Sequence, residues 1–189
     1  MAANLKKRSR LCRSQSGITL TELIMALGVG TILTTMAIPA FSTILEEDRI
    51  LTQVYEFVGQ LSYARHTAIT QGREINLCKS NDGETCNSDL EWKDGWIIYA
   101  DTSSDHKRSP DETLLRVHHG THDKITIHYK AGFGQNNYVA YNPLGNTSYN
   151  GTFTFCANSN EVAPRAVIIY RGRARLSRRK ANGKPLECP

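Results

Sequence analysis

The first long pattern in the chain has no polar face. Ile18–Ile38 runs for 21 residues with a single charge, Glu22. As an α-helix this stretch would measure about 31 Å, enough for one bilayer crossing. Beyond Pro39 the pattern turns amphipathic. Phe41, Ile44, Leu45, Leu51, Val54, Val58, Leu61, Ala68 and Ile69 recur at helical steps, with Glu46, Glu47, Asp48 and Arg49 between them. Gly72 is a helix stop just past the periodic run. The pattern therefore predicts one helix over about 18–71, its first half apolar all round. Pro39 kinks it rather than ending it, because the hydrogen bond lost is local.

After Gly72 the period falls to two, as half-buried strands require. Glu74–Lys79, Trp96–Tyr99, Thr113–His118, Lys124–Tyr129, Tyr138–Tyr141, Thr152–Cys156 and Ala166–Tyr170 are strand candidates. Turn chemistry separates them at Asn81-Asp82-Gly83, Ser109-Pro110-Asp111, Asn142-Pro143 and Asn150-Gly151. A long helix followed by six or seven short strands predicts an α+β protein, with an antiparallel sheet packed on the helix.

Charge changes this picture at both ends. Lys6, Lys7, Arg8, Arg10 and Arg13 precede the apolar run with no acid among them. Positive-inside bias holds that segment in the cytoplasm and sends the remainder outward. A secretory signal carries its cleavage site after the apolar core; here Gly17 stands before it, so a cut there leaves the helix on the protein. Residues 18–161 hold 10 Lys/Arg against 17 Asp/Glu, whereas residues 162–189 hold 8 against Glu187 alone. The basic tail is thus built to meet a polyanion or the acidic body. Glu22 is the anomaly of the apolar run, since an acid in a membrane helix costs roughly 2.5–3.5 kcal/mol on insertion scales.

Cys12 lies in the basic leader, and Cys78, Cys86, Cys156 and Cys188 follow it. An even number in an exported segment points to disulfides. Three pairings are possible. Cys78–Cys86 across a short polar loop, with Cys156–Cys188 pinning the tail to a strand, is the favoured one. The rival four-cysteine zinc site lacks any C-x₂-C pair. No nucleophile elbow, H-E-x-x-H or phosphate loop is present, and Asp82-Gly83-Glu84 is short of a calcium loop. His118, His119, His122 and Asp123 form a loop cluster of the kind usually only solvated. No enzyme, metal or cofactor is expected.

Ser16-Gly17-Ile18-Thr19-Leu20-Thr21-Glu22 behind a basic leader resembles the class III signal of type IV pilins and pseudopilins. The residues Ser62–Ile69, then Gly72 and Ile75-Asn76-Leu77-Cys78, resemble the helix exit of the branch containing the FimT minor pilins and the type II secretion pseudopilin H. Trp92–Asp101 resembles the same branch's tryptophan–glycine strand. Arg171-Gly172-Arg173-Ala174-Arg175 holds the Gly-Arg-x-Arg pattern of FimT-like C-termini, which makes FimT the nearest likeness.

The resemblance implies a pilin-like fold: a long N-terminal helix, transmembrane in its first half, packed on a C-terminal antiparallel β-sheet head. It divides the chain into a leader (1–17), a transmembrane and assembly helix (18–39), its amphipathic continuation (40–72), and a head (73–189) with a basic tail from about 165. Prepilin peptidase would cut between Gly17 and Ile18, and the new N-terminus would be methylated. Ile18 replaces the family's usual phenylalanine. Glu22 would pair with the N-terminal amine of a neighbouring subunit; the plainer reading is an interfacial carboxylate. The protein would sit singly spanning the inner membrane, head in the periplasm, until taken into a pilus with other pilins.

Arg173 and Arg175 are two apart, so a strand would project both to one face, and Arg171 with them. Guanidiniums about 6.5–7 Å apart suit successive phosphates, Gly172 permits close backbone approach, and Arg178, Arg179 and Lys180 add diffuse charge. With no aromatic residue between the arginines, sequence-tolerant backbone binding is expected. By resemblance to FimT, the partner is double-stranded DNA taken up in natural transformation. The alternative is a structural minor pilin or secretion pseudopilin whose tail contacts other subunits.

Overall fold

The computed structural model describes residues 17–120, 124–159 and 162–188, with the backbone alone at 36–40. Residues 1–16, including Cys12 and the basic leader, lie outside the described residues, as do His122 and Asp123. The chain forms two compact units, Met1–Phe41 and Ser42–Pro189.

Helix α1, Leu20–Gln71, runs for 52 residues and contains Pro39. In the first unit its side chains are exposed on every side: Leu20, Met25, Leu27, Val29, Ile32 and Leu33 all face outward. A helix apolar all round needs lipid or protein neighbours to cover it. Among the described residues no helix is long and apolar enough to cross a membrane. The side chains of residues 36–40, at the end of the expected span, lie outside the described residues.

In the second unit α1 buries a stripe made of Ile50, Val54, Phe57, Leu61, Ala64 and Ala68. This is one position off the predicted stripe. Val54, Leu61 and Ala68 belong to both, but Phe57 and Ile50 take the places expected of Val58 and Leu51. Phe57 decides the rotation, because its ring sits edge-on or tilted against Trp92, Trp96, Phe153 and Phe155, with centroids 4.5–6.2 Å away. Ile69 and Ile44 stay largely exposed.

Eight strands follow: β1 (Glu74–Lys79), β2 (Gly95–Asp101), β3 (Leu114–His119), β4 (Ile125–Ala131), β5 (Tyr138–Tyr141), β6 (Gly151–Ala157), β7 (Arg165–Tyr170) and β8 (Arg173–Ser177). They form two four-stranded sheets, ordered β3-β2-β1-β5 and β4-β6-β7-β8. Every pairing is antiparallel. The pilin-like α+β class is as expected; the second sheet and strand β8 are additions to it. The inner faces of both sheets meet α1 in one core that includes Ile98, Ile127, Tyr141, Phe153, Val167 and Ile169.

Two disulfides tie the head. Cys78–Cys86 closes the loop after β1 with Cα atoms 5.6 Å apart. Cys156–Cys188 joins β6 to the C-terminal tail across 5.9 Å. In the loop-entropy account the longer closure contributes about 3–4 kcal/mol.

Trp92 and Trp96 are both core residues, but they do not share a strand. Trp92 belongs to a 3₁₀ turn, Trp92–Asp94, and its indole N–H donates to Asn136 O at 2.8 Å. His118 lies on β3 rather than in a loop. It stacks on Trp96 at 3.8 Å and meets Glu56 of α1 at 3.1 Å. Burial pushes its pKa down, opposing the pull of Glu56.

Candidate nucleic-acid interface

The arginine motif sits on a hairpin at the free edge of the second sheet. β7 and β8 are joined by two residues, Arg171 and Gly172, with φ of 47° and 75°. Positive φ at both positions is the type I′ geometry, whose twist matches that of the flanking strands. Arg171 is therefore at the turn tip and does not continue the strand face of Arg173 and Arg175. Its N–H donates to Asn150 Oδ1 at 2.8 Å, and its guanidinium lies 5.5 Å from the Tyr170 ring centroid.

Gly172 has a structural task. A Cβ there would fall 1.9 Å from Gly145 O. The turn is thus pressed against the loop between β5 and β6, and that loop is held to α1 by Arg65 Nε donating to Gly145 O at 2.8 Å. The close backbone approach at Gly172 is to this loop of the same head. Arg173 and Gly172 also line an open cavity of about 300 Å³ with Ser62, Arg65 and His66.

On β8, Ala174 packs on the core, so Arg173 and Arg175 project from the opposite face. Arg173 pairs with Tyr170 and Arg175 with Ile168 across the ladder. Tyr170 is 56% exposed. The sequence reading found no aromatic residue between the arginines; the fold sets one beside them, because register places Tyr170 opposite Arg173. Among the described residues, no carboxylate forms an ion pair with Arg171, Arg173, Arg175 or Arg178.

The rest of the basic tail is less available. Arg165 is buried, donating to Ala163 O and facing Glu47 at 3.5 Å. Lys180 is held by Glu187 at 2.7 Å. Residues 179–185 form a small hairpin, with Arg179 bridged to Pro185 and Lys180 N–H donating to Lys184 O. Arg178 stands beside it, and Arg178 and Arg179 line a cavity with Glu47 and Leu186.

At the other end, Gly17 and Ile18 are exposed ahead of α1. Thr19 Oγ1 accepts the Glu22 N–H at 3.3 Å, and Glu22 is the acid of the first turn. Thr-x-x-Glu is the capping-box pattern, and an acid there also complements the helix dipole. Thr19 is thus the cap, and the Glu22 carboxylate stands in the first turn where it complements the dipole.

The sequence profile described as "Type II transport protein GspH" matches residues 53–172, from the buried stripe of α1 through the β7–β8 turn. The chain belongs to the GspH family. It is a minor pilin or pseudopilin of the GspH/FimT branch, a structural protein and not an enzyme. Among solved structures, it is similar to the type IV minor pilin FimU of Pseudomonas aeruginosa in two crystal forms. One is 23% identical with a TM-score of 0.55, covering 71% of this chain and 92% of that one. The other is 24% identical with a TM-score of 0.50, covering 67% and 91%. The minor pseudopilin EpsH from the type 2 secretion system of Vibrio cholerae is 11% identical with a TM-score of 0.49, covering 68% and 96%. A comparison with curated protein sequences gives no match. The FimU likeness establishes the fold of this GspH-family head.

Proposed function

We propose that this GspH-family protein is a minor pilin that captures double-stranded DNA at the β7–β8 hairpin for uptake. The observation that carries the reading is the outward pair Arg173 and Arg175, without an ion-pair partner among the described residues and flanked by exposed Tyr170. Their spacing suits successive phosphates of one strand, and Arg171 and Arg178 extend the positive surface. Lys180 contributes little, because Glu187 neutralises it. Phosphate contacts of this kind carry no base information, so binding is sequence-tolerant. In the test, the full chain in mild detergent is titrated with a labelled duplex at several salt concentrations. Binding should be micromolar or weaker, and log K should fall linearly with log salt, by about 0.9 per phosphate neutralised. Absence of salt-sensitive binding returns the hairpin to the alternative role, contact with other subunits in pilus or secretion-fibre assembly.

The same reading assigns the N-terminal end. Prepilin peptidase removes residues 1–17 at Gly17-Ile18, and the apolar first unit anchors the protein in the inner membrane before fibre assembly. The bare apolar surface of Leu20–Leu33 supports this, since lipid and then neighbouring pilin helices would cover it. Glu22 then serves assembly in addition to complementing the helix dipole. Glu22→Ala should leave membrane insertion intact and abolish recovery of the protein in sheared fibres. Glu22→Gln keeps the size of the side chain but loses the charge. Normal incorporation of Glu22→Gln would show that the charge has no part in assembly.

A further inference from the structure

Three segments distant in sequence meet on the outer face of the first sheet. Glu74 and Asp101 are cross-strand partners at the end of the β1–β2 ladder. Like charges placed directly opposite destabilise a sheet unless something positive lies between them. His106, from the loop between β2 and β3, supplies the third group. Its Nδ1 is 3.2 Å from Glu74 Oε1 and 3.6 Å from Asp101 Oδ2. The three ligand atoms all lie within 4.8 Å of one another.

A fourth polar side chain reaches the cluster. Asn76, fully buried, directs its amide into the cluster, with Nδ2 at 2.5 Å from Asp101 Oδ2 and 3.1 Å from His106 Nδ1. Glu74 Oε1, across from His106 Nδ1, is buried without a hydrogen-bond partner. Asn76 Oδ1 and Tyr99 Oη, neighbours across the ladder, are also buried without partners. Two carboxylates thus face one imidazole at these distances.

We propose that Glu74, Asp101 and His106 bind a divalent first-row metal ion such as zinc. One imidazole nitrogen and two carboxylate oxygens form a borderline donor set, and separations of 3.2 and 3.6 Å are those of ligands sharing one small ion. Asn76, donating to Asp101, is the outer partner that orients a ligating carboxylate. Tyr138 stacks on the imidazole at 4.2 Å and fixes its plane. His106 also lines a cavity of about 620 Å³ beside the Cys78–Cys86 disulfide, which gives an ion its path of entry. The ion clips the β2–β3 loop onto β1.

The test is zinc titration of the untagged, metal-free full chain in detergent, in competition with a chromophoric chelator. One equivalent should bind, and the melting temperature should rise with zinc. His106→Gln and Glu74→Gln should each weaken binding at least 100-fold, whereas the exposed His119→Gln should not. Asp101 is not the residue to vary first, because it also accepts the N–H groups of Ser104 and His106. Far-UV circular dichroism of each variant confirms that it is folded. A parent chain that binds no zinc stoichiometrically overturns the proposal, as does either variant binding zinc as the parent does.

Discussion

Gly172→Ala is expected to destabilise the head by roughly 3 kcal/mol or more, through two mechanisms that add. The residue holds φ of 75°, which a side chain resists. The larger cost is steric, because the new Cβ would lie 1.9 Å from Gly145 O and 2.9 Å from Asn146 Cα. Both obstacles are backbone, so neither swings aside as a side-chain end would. Either the β7–β8 turn or the β5–β6 loop must retreat, and the latter is fixed to α1 through Arg65. Gly183→Ala is the matched comparison. Its φ is 80°, yet nothing lies within 4 Å of the added Cβ. That variant should lose only about 1 kcal/mol, the conformational part alone. Urea midpoints of the two proteins separate the contributions. Equal losses would show that the loop yields freely and that the turn is not braced by it.

The same comparison bears on what the sequence made legible. Strands such as β1 and β5 are readable to the residue, β1 from its alternation of polar and apolar residues and β5 from a short apolar run between turn residues, although both are buried at nearly every position. Strand β8 was not, because Arg-Ala-Arg-Leu-Ser buries only a small alanine and reads as a charged tail. The Arg-Gly pair between Tyr170 and Arg173 was its available signal, a two-residue loop between strand-like flanks. The division into two sheets was also hidden. Local period says that a segment is a strand, whereas β5 beside β1 and β4 beside β6 are choices made by distant partners. The helix stripe was read one position off, since Val58 and Phe57 both satisfy three-and-four spacing and only the aromatic cluster around Phe57 decides between them.

Within the interface, charge was legible and availability was not. Eight basic residues after 162 read as one patch. The fold buries Arg165, pairs Lys180 and moves Arg171 to a turn, leaving Arg173 and Arg175 as the ordered pair. The metal-binding set was invisible for a stricter reason. Glu74, Asp101 and His106 have no ligand spacing along the chain, and only strand register and a loop crossing bring them together. Of the histidines that cluster in sequence, His118 is taken into the packing on Trp96.

Changing Arg173 and Arg175 together to glutamine is expected to weaken duplex binding by one to two orders of magnitude at low salt, and to flatten the salt slope by about two. The effect should be the same for every duplex sequence, since phosphate contacts position without specifying. Stability should change by less than about 0.5 kcal/mol, because both side chains are exposed and neither is in an ion pair among the described residues. That contrast separates this pair from Gly172→Ala, which should lose DNA binding only by loosening the hairpin that presents it. Lys180→Gln is the control for Arg173→Gln and Arg175→Gln made singly, each of which should flatten the slope by about one. It removes one positive charge from the same tail, but one that Glu187 already holds at 2.7 Å, so its slope should stay near that of the parent. If Lys180→Gln matches either single arginine variant, binding follows diffuse tail charge and the ordered arginine pair has no special part. If the double variant binds as the parent does, the hairpin is not a DNA site. The arginines would then be left to contact acidic faces of neighbouring subunits, where loss of fibre incorporation by the same double variant would reveal them.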